Sequence, residues 1–146
     1  MVKCEGLNAD MISRLIDRAI EGMSYAYTPY SGFRVGAALL TESGEIYTGC
    51  NIENAAYTPT NCAERTAFFK AVSEGERHFA AICIVGGKDG KLADYTSPCG
   101  VCRQVMMEFC EPEQFKIILA ISREEYQIYT LKELLPEGFG PARLAR

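Results

Sequence analysis

Apolar positions in the first part of the chain recur every four residues. This spacing, at Met11, Leu15, Ala19 and Met23, predicts an amphipathic helix over ADMISRLIDRAIEGMSYAY (9–27), and Asn8 stands where its N-cap belongs. Pro29 and Gly32 then interrupt the pattern, because neither residue suits the interior of a helix. The chain is therefore expected to begin with one helix and to leave it before Phe33.

The remaining pattern alternates between short apolar runs and helical spacing. Two runs around a short glycine-containing turn predict a β-hairpin, FRVGAALL (33–40) and EIYTGCNIE (45–53). Helices and strands then alternate over CAERTAFFKAVSEG (62–75), AAICIVGG (80–87), CGVCRQVMMEFC (99–110), FKIILAIS (115–122) and EYQIYTL (125–131). The order helix, hairpin, helix, strand, helix, strand, strand predicts an α/β fold in three layers, α/β/α, with a mixed five-stranded sheet covered by helices. From Lys132 onward we expect an irregular tail.

Length and composition restrict what the chain can be. Its 146 residues suit one domain, 1–146, with 48% hydrophobic and 23% charged residues. The longest apolar run, FKIILAIS, is too short to cross a bilayer, and the start of the chain lacks the apolar core of a signal peptide. A net charge of −4 without a basic cluster disfavours a nucleic-acid partner. We therefore expect a cytoplasmic protein that binds neither membrane nor nucleic acid.

Seven cysteines in a chain without a secretion signal favour metal binding or catalysis over disulfides. Cys50, Cys83 and Cys110 lie in or beside apolar stretches, where a free thiol behaves as a small hydrophobic group. Cys4 stands near the N-terminus, and we expect no role for it. The other three cysteines stand at the beginning of the two helices predicted in the middle of the chain.

Cys62, Cys99 and Cys102 form the pattern that carries chemistry. Cys99 and Cys102 are three residues apart, so their thiols face one side of a helix, and a helix N-terminus favours a thiolate. Cys62 gains the same stabilisation at the start of its own helix. Glu64 follows two residues later, and both side chains address one atom only if Cys62 occupies the cap or the first helical position.

Three chemistries fit this cysteine pattern. A Cys-x-x-Cys pair serves redox exchange in thioredoxin-like proteins, although that use needs no distant Cys-x-Glu. A structural zinc site requires a fourth ligand, and the only histidine, His78, is expected at the surface. Catalytic zinc has three protein ligands and one open position, and Glu64 then has a use as a proton carrier.

Longer stretches around these residues resemble a known family. CAERTA (62–67), PCGVCRQ (98–104), residues 30–57 and LLPEGFGP (134–141) are similar, in the same order, to zinc-dependent cytidine deaminases of the small homotetrameric three-cysteine type. The resemblance implies one Zn²⁺ per subunit on the three cysteines. It implies hydrolytic deamination of cytidine and deoxycytidine to uridine and deoxyuridine plus ammonia, as in pyrimidine salvage. It also implies that Glu64 moves the proton and that Arg65 donates hydrogen bonds to ligand sulfurs.

The resemblance also implies where a nucleoside binds. Asn51 and Glu53 are two residues apart on a predicted strand, hence on one face, and correspond to ribose-binding positions. Phe33 corresponds to a residue that stacks on the base. The backbone N–H of Ala63, at a helix N-terminus, is expected to bind the C2 oxygen.

Further positions border the pocket or a subunit boundary. The carbonyl of Ser97, or that of Thr96, is expected to accept a hydrogen bond from the departing amine. Tyr57 and Phe139 resemble positions that reach across subunits in the family's homotetramers. The segment TPTN (58–61) departs from the sequence that is common in the family. A non-catalytic zinc module and a deaminase of polynucleotides are the competing interpretations.

Overall fold

A computed structural model describes residues 7–144, and the other residues, Cys4 among them, lie outside the described part. The elements follow the predicted order, and none of the helices in this part is long and apolar enough to cross a membrane. They are α1 (Ala9–Met23), β1 (Phe33–Thr41), β2 (Ile46–Cys50), α2 (Ala63–Ser73), β3 (Phe79–Lys88), α3 (Gly100–Phe109), β4 (Lys116–Ala120), β5 (Tyr126–Thr130), α4 (Leu131–Leu134) and a 3-10 helix (Pro141–Leu144).

The strands form one mixed sheet in the order β2-β1-β3-β4-β5. Neighbouring strands are antiparallel except β3 and β4, which are parallel because α3 crosses over between them. Successive side chains alternate between the faces, so Ala37 and Leu39 share a core with α2 and α3, whereas Ala38 and Leu40 share one with α1. Helices therefore cover both faces, and the predicted three-layer α/β/α fold is confirmed.

Side-chain caps decide where two of the helices begin. The Met11 N–H donates to the Asn8 side chain at 2.9 Å, which confirms the predicted N-cap of α1. Near the other end of the chain, Thr130 and Glu133 form a capping box at the start of α4. The prediction of an irregular tail from Lys132 was therefore wrong, because so short a helix shows too little periodicity to be recognised.

Strand β2 ends at Cys50, earlier than the predicted end at Glu53. Asn51 takes over its pairing with β1 through the side-chain amide. The Val35 N–H donates to Oδ1 at 2.9 Å, and Nδ2 donates to the Phe33 carbonyl at 2.8 Å. An asparagine amide offers both a donor and an acceptor, as a peptide group does, and so it continues the hydrogen bonding where the strand stops.

Gly49 sets the position of α2 on the sheet. A Cβ atom at this residue would lie 2.3 Å from the carbonyl oxygen of Ala63 and 2.6 Å from the backbone nitrogen of Ala67. Only a residue without a side chain allows the first turn of α2 to contact β2 so closely. Because Cys62 precedes this turn, the contact fixes the place of the first predicted metal ligand.

Candidate active site

The N-termini of α2 and α3 bring three cysteines together. Cys62 is the N-cap of α2, one of the two positions predicted for it, and its thiol makes no capping hydrogen bond. Cys99 is the N-cap of α3, and its sulfur accepts a hydrogen bond from the Cys102 N–H at 3.4 Å. The unpaired N–H groups of a first helical turn carry partial positive charge. Both helices therefore favour thiolates at this point.

The sulfur positions fit a tetrahedral zinc ion. The sulfurs of Cys62 and Cys99 are 3.8 Å apart, those of Cys99 and Cys102 are 3.4 Å apart, and all three lie within 4.8 Å of one another. Zn–S bonds of about 2.3 Å at tetrahedral angles place sulfurs about 3.8 Å apart. Within residues 7–144 no fourth histidine, cysteine or carboxylate joins the cluster. The three cysteines are thus positioned to bind one zinc ion.

The thiols differ in how readily they ionise. The pKa of Cys62 is lowered to about 5, first by the hydrogen bond from Cys102, and further by Arg65 and Cys99, while burial opposes the change. The pKa of Cys102 is raised, chiefly because its thiol is hydrogen-bonded to the Cys62 sulfur and also because it is buried. One thiolate therefore forms easily, and a dication is needed to hold two more beside it.

Arg65 lies against the sulfur cluster. Its Nη2 donates to Cys62 Sγ at 3.3 Å, and its Nε is buried without a hydrogen-bond partner. Burial works to lower the pKa of Arg65, but hydrogen bonds to Cys62 and Cys102 outweigh it and the pKa is raised. Three thiolates and one Zn²⁺ would sum to −1, so a permanent cation at this place withdraws charge from the sulfurs.

Glu64 lies in the first turn of α2 and is only 3% exposed. Burial, together with the negative charge of Cys62, raises the pKa of this carboxyl group to about 7. A carboxyl group with a pKa near neutrality can both accept and release a proton under physiological conditions. Glu64 therefore has the properties of a proton carrier beside the cysteine cluster.

The two residues predicted to bind a sugar are both oriented by hydrogen bonds. Asn51 is bound to β1 as described above, and its amide has a second N–H to offer. Glu53 Oε1 accepts from the N–H groups of Tyr30 and Ser31 at 3.0 and 3.1 Å, and Oε2 accepts from the Ser31 hydroxyl. The Ser31 hydroxyl is also the main reason why the pKa of Glu53 is lowered. Glu53 is thus a fixed carboxylate.

The residues predicted to contact the base lie at the first residue of β1, at the first residue of α2 and in the loop before α3. Phe33 begins β1, is 40% exposed, and shares a hydrogen bond with Asn51 through its carbonyl. Ala63 is the first residue of α2, so its N–H belongs to the turn that lacks helical acceptors. Ser97 is exposed and precedes Cys99 by two residues. Phe33 is thus hydrogen-bonded to Asn51, and Ala63 and Ser97 lie within two residues of Cys62 and Cys99 in the sequence.

Tyr57 and Phe139 are both largely exposed to solvent in the single chain. Tyr57 is 74% exposed and adopts a left-handed backbone with φ of 62°, which is uncommon for a residue other than glycine. Phe139 is 56% exposed, and its carbonyl accepts from Gln104 Nε2 of α3 at 2.8 Å. Both rings therefore project from the surface.

Sequence reasoning missed Ser31 and Tyr30, which hold Glu53. Segment 28–32 was interpreted only as a break between elements, and no periodic pattern connects it with residue 53. The prediction for the remaining cysteines was better. Cys83 and Cys110 are buried, and burial raises the pKa of both thiols.

A cavity of about 1220 Å³ lies away from these residues, beside the first residues of β3 and the C-terminal end of α3. None of the predicted site residues lines it, although the exposed His78 does. The position of this cavity and the position of the three sulfurs therefore indicate different places for a functional site. We locate the site by the sulfur cluster and the buried Glu64, because three sulfurs and a carboxyl group in one place suit metal-assisted proton transfer.

Comparisons with known proteins identify the family of the chain. The family model for the cytidine and deoxycytidylate deaminase zinc-binding region matches residues 10–118. A cytidine deaminase of Sporosarcina psychrophila is 48% identical over 92% of this chain and 95% of its own length. That of Halalkalibacterium halodurans is 50% identical over 86% and 91%, respectively.

A solved structure of a cytidine deaminase has a similar fold. The crystal structure of cytidine deaminase from Burkholderia pseudomallei superimposes with a TM-score of 0.78 at 43% sequence identity, covering 86% of this chain and 97% of that one. The α/β fold, the three-sulfur cluster and the match over most of the sequence lead to one conclusion: the chain belongs to the zinc-dependent cytidine deaminase family.

Proposed function

We propose that the site catalyses hydrolytic deamination of both cytidine and deoxycytidine, with Cys62, Cys99 and Cys102 as zinc ligands and Glu64 as the proton carrier. The observation that supports this most directly is the position of Glu64. Its buried carboxyl group follows the N-cap cysteine of α2 by two residues, beside a cluster of three sulfurs. We treat residues 1–146 as a single catalytic domain.

The residues divide the reaction between binding and proton transfer. Zinc, when bound, supplies a Lewis acid that makes water a nucleophile near neutral pH. Glu64 would accept one proton from the attacking water and deliver it to ring N3. It would then take the proton of the hydroxyl group added at C4 and pass it to the amine nitrogen, so that the C4–N bond breaks as the C4 carbonyl forms. The base is converted to uracil, and ammonia is released. The burial of Glu64 keeps bulk water away from this proton path.

The remaining residues orient the nucleoside. Phe33 stacks on the base, the Ala63 N–H binds the C2 oxygen, and the Ser97 carbonyl accepts from the departing amine. Asn51 and Glu53 bind the sugar hydroxyls. This assignment is supported by the exposed ring at the start of β1, by the unpaired N–H of the first turn of α2, and by the fixed carboxylate of Glu53.

A direct assay tests the proposed activity. Purified protein is mixed with cytidine or deoxycytidine, and product formation is followed with and without a zinc chelator. We expect turnover of both nucleosides, abolished by the chelator and restored by added Zn²⁺. A cytosine-containing oligonucleotide serves as the control for a polynucleotide substrate and should remain unchanged. Turnover that persists after verified zinc removal, or a preference for the oligonucleotide, would contradict the proposal.

Replacing Arg65 by alanine should weaken the zinc site without unfolding the protein. The guanidinium that withdraws charge from the ligand sulfurs is lost, and changes of this kind cost about 10- to 100-fold in metal affinity or activity. Zinc content after dialysis and the rate of cytidine turnover measure the effect. Arg77→Ala is the matched control, because Arg77 donates to the nearby backbone carbonyls of Val72 and Glu76 rather than to a cysteine sulfur. Unchanged zinc retention together with unchanged turnover in Arg65→Ala would reject this role.

The enzyme is proposed to be a homotetramer in which Tyr57 and Phe139 contribute across subunits. Both rings are more than half exposed in the single chain, and Tyr27, Tyr30 and Ile52 expose further apolar surface. Light scattering on the purified protein measures the mass directly. We expect four times the 16.1 kDa of the chain, and a monomeric enzyme with full activity would contradict the assignment.

The reaction suits pyrimidine salvage in the cytoplasm. Six described cysteines, Cys50, Cys62, Cys83, Cys99, Cys102 and Cys110, are free thiols. Free thiols persist in a reducing compartment, and three of these are needed unoxidised for the metal. We therefore assign the enzyme to the cytoplasm.

A further inference from the structure

The Glu53 carboxylate is held in one orientation, because residues of the turn before β1 donate hydrogen bonds to both of its oxygens. The backbone N–H groups of Tyr30 and Ser31 donate to Oε1 at 3.0 and 3.1 Å, and the Ser31 hydroxyl donates to Oε2. An ionised carboxylate has about four acceptor positions. Three are filled by the protein itself, which leaves one on Oε2 for a ligand.

The Ser31 hydroxyl also connects the two sides of the nucleoside site. Its oxygen accepts a hydrogen bond from the Phe33 N–H at 2.9 Å while it donates to Glu53. Phe33 is the residue proposed to stack on the base, and Glu53 is one of those proposed to bind the sugar. One hydroxyl group therefore fixes the distance between the base side and the sugar side.

The turn that carries Ser31 is anchored from the end of β3. Lys88 Nζ donates to the Ser31 carbonyl at 2.6 Å, and the Asp89 N–H donates to the Gly32 carbonyl at 2.7 Å. Gly32 has a φ of 68°, and a Cβ atom there would lie 2.9 Å from Lys88 Nζ. The left-handed glycine thus lets the lysine reach the turn closely, and Lys88 also supplies positive charge near the Glu53 carboxylate.

We propose that Ser31, anchored by Lys88, is a positioning residue that holds Glu53 so that a single acceptor position faces one sugar hydroxyl of the nucleoside. This inference rests on the proposed function, because Glu53 must contact the sugar. Ser31 itself touches neither the base nor the reacting atoms. Its loss should therefore weaken nucleoside binding and leave the chemical step intact.

The first experiment compares Ser31→Ala with the unaltered enzyme on cytidine. A hydrogen bond to a charged group contributes enough that KM should rise about 10-fold, and kcat should stay within about 2-fold, because the lost interaction is made equally in the ground state and the transition state. Ser31→Thr keeps the hydroxyl and should restore KM to within about 3-fold. Ser31 is exposed, so the alanine variant is expected to remain folded.

A second measurement separates positioning of Glu53 from a general effect on the turn. The inhibition constant of 2′,3′-dideoxycytidine, which lacks the 2′- and 3′-hydroxyls and keeps the 5′-hydroxyl, should be the same for the unaltered enzyme and Ser31→Ala to within about 2-fold, because Glu53 is expected to bind a hydroxyl of the sugar ring. If Ser31 only shapes the backbone before Phe33, both nucleosides lose affinity equally, and that result would overturn the inference. Adding Ser31→Ala to Glu53→Gln should likewise produce little further rise in KM for cytidine, since the two residues act as one unit.

Two matched controls complete the design. Ser122→Ala removes a serine hydroxyl that holds loop N–H groups in the turn before β5, and its KM should not change. Lys88→Met should raise KM for cytidine, though less than Ser31→Ala does, and should leave the inhibition constant of 2′,3′-dideoxycytidine unchanged. Lys70→Met, which removes a similar hydrogen bond from a lysine to the Thr48 carbonyl, should leave KM unchanged. If the unaltered enzyme fails to deaminate cytidine, the proposed function is wrong. If it turns cytidine over and Ser31→Ala leaves KM unchanged, only the present inference is wrong.

Discussion

Glu64→Gln is expected to retain zinc and to lose at least about 100-fold in kcat for cytidine, because a positioned proton carrier contributes about 10²–10⁴-fold. The amide has nearly the same size as the carboxyl group but neither accepts nor delivers a proton at neutral pH. Glu64 is buried beside the sulfur cluster, so bulk water cannot replace it efficiently. Steady-state kinetics and metal analysis of the same preparation measure the two effects together.

The control for this variant is Glu74→Gln on the same helix. Glu74 is the exposed C-cap of α2, and its neutralisation should leave turnover within about 2-fold, as surface changes usually do. Thermal unfolding of both variants shows whether either has lost its fold. A reduction smaller than about tenfold for Glu64→Gln, with zinc present, would remove Glu64 from the proton path.

Cys102→Ser is expected to lose both zinc and activity. Cys102 lies in the first turn of α3, is only 1% exposed, and supplies one of three sulfurs that lie within 4.8 Å of one another. A serine hydroxyl does not ionise at neutral pH and is a poor zinc ligand, so two thiolates remain where the metal needs three protein ligands. Zinc content per chain should fall below about a tenth of the normal value, and turnover should fall about 1000-fold or more.

Cys50→Ser tests whether this loss is specific to the cluster. Cys50 is a partly exposed free thiol at the end of β2, and it is not a member of the three-sulfur group. Its zinc content and kcat should remain near those of the unaltered enzyme. A full complement of zinc in Cys102→Ser would contradict the ligand assignment. So would loss of zinc in Cys50→Ser.

The hydrophobic pattern was sufficient to predict the architecture. Four-residue spacing up to Met23 and the alternation in β1 determine which faces are buried, and burial of those faces requires helices on both sides of the sheet. The same local reasoning restricted Cys62 to the N-cap or the first helical position of α2, since only there can Cys62 and Glu64 address one atom, and the structure has Cys62 at the N-cap. These features depend on residues close in sequence, where the chain geometry is known in advance.

Features that depend on tertiary contacts could not be predicted from the sequence. The side-chain pairing of Asn51 with β1 shortened β2, and it requires a register that only the folded sheet defines. The Ser31–Glu53 contact joins positions 22 residues apart through a turn that has no periodic signal. The start of α4 is different. Its capping residues, Thr130 and Glu133, have the sequence spacing of a capping box, but the helix that follows is too short to show a periodic pattern.

The account depends most on Cys62, Cys99 and Cys102 binding one zinc ion with a position left for a small molecule. X-ray absorption at the zinc edge of the purified enzyme measures this ligand set directly. We expect three sulfur neighbours at about 2.3 Å and one lighter neighbour at about 2.0 Å. A zinc ion with four sulfur neighbours, or with none, would contradict it.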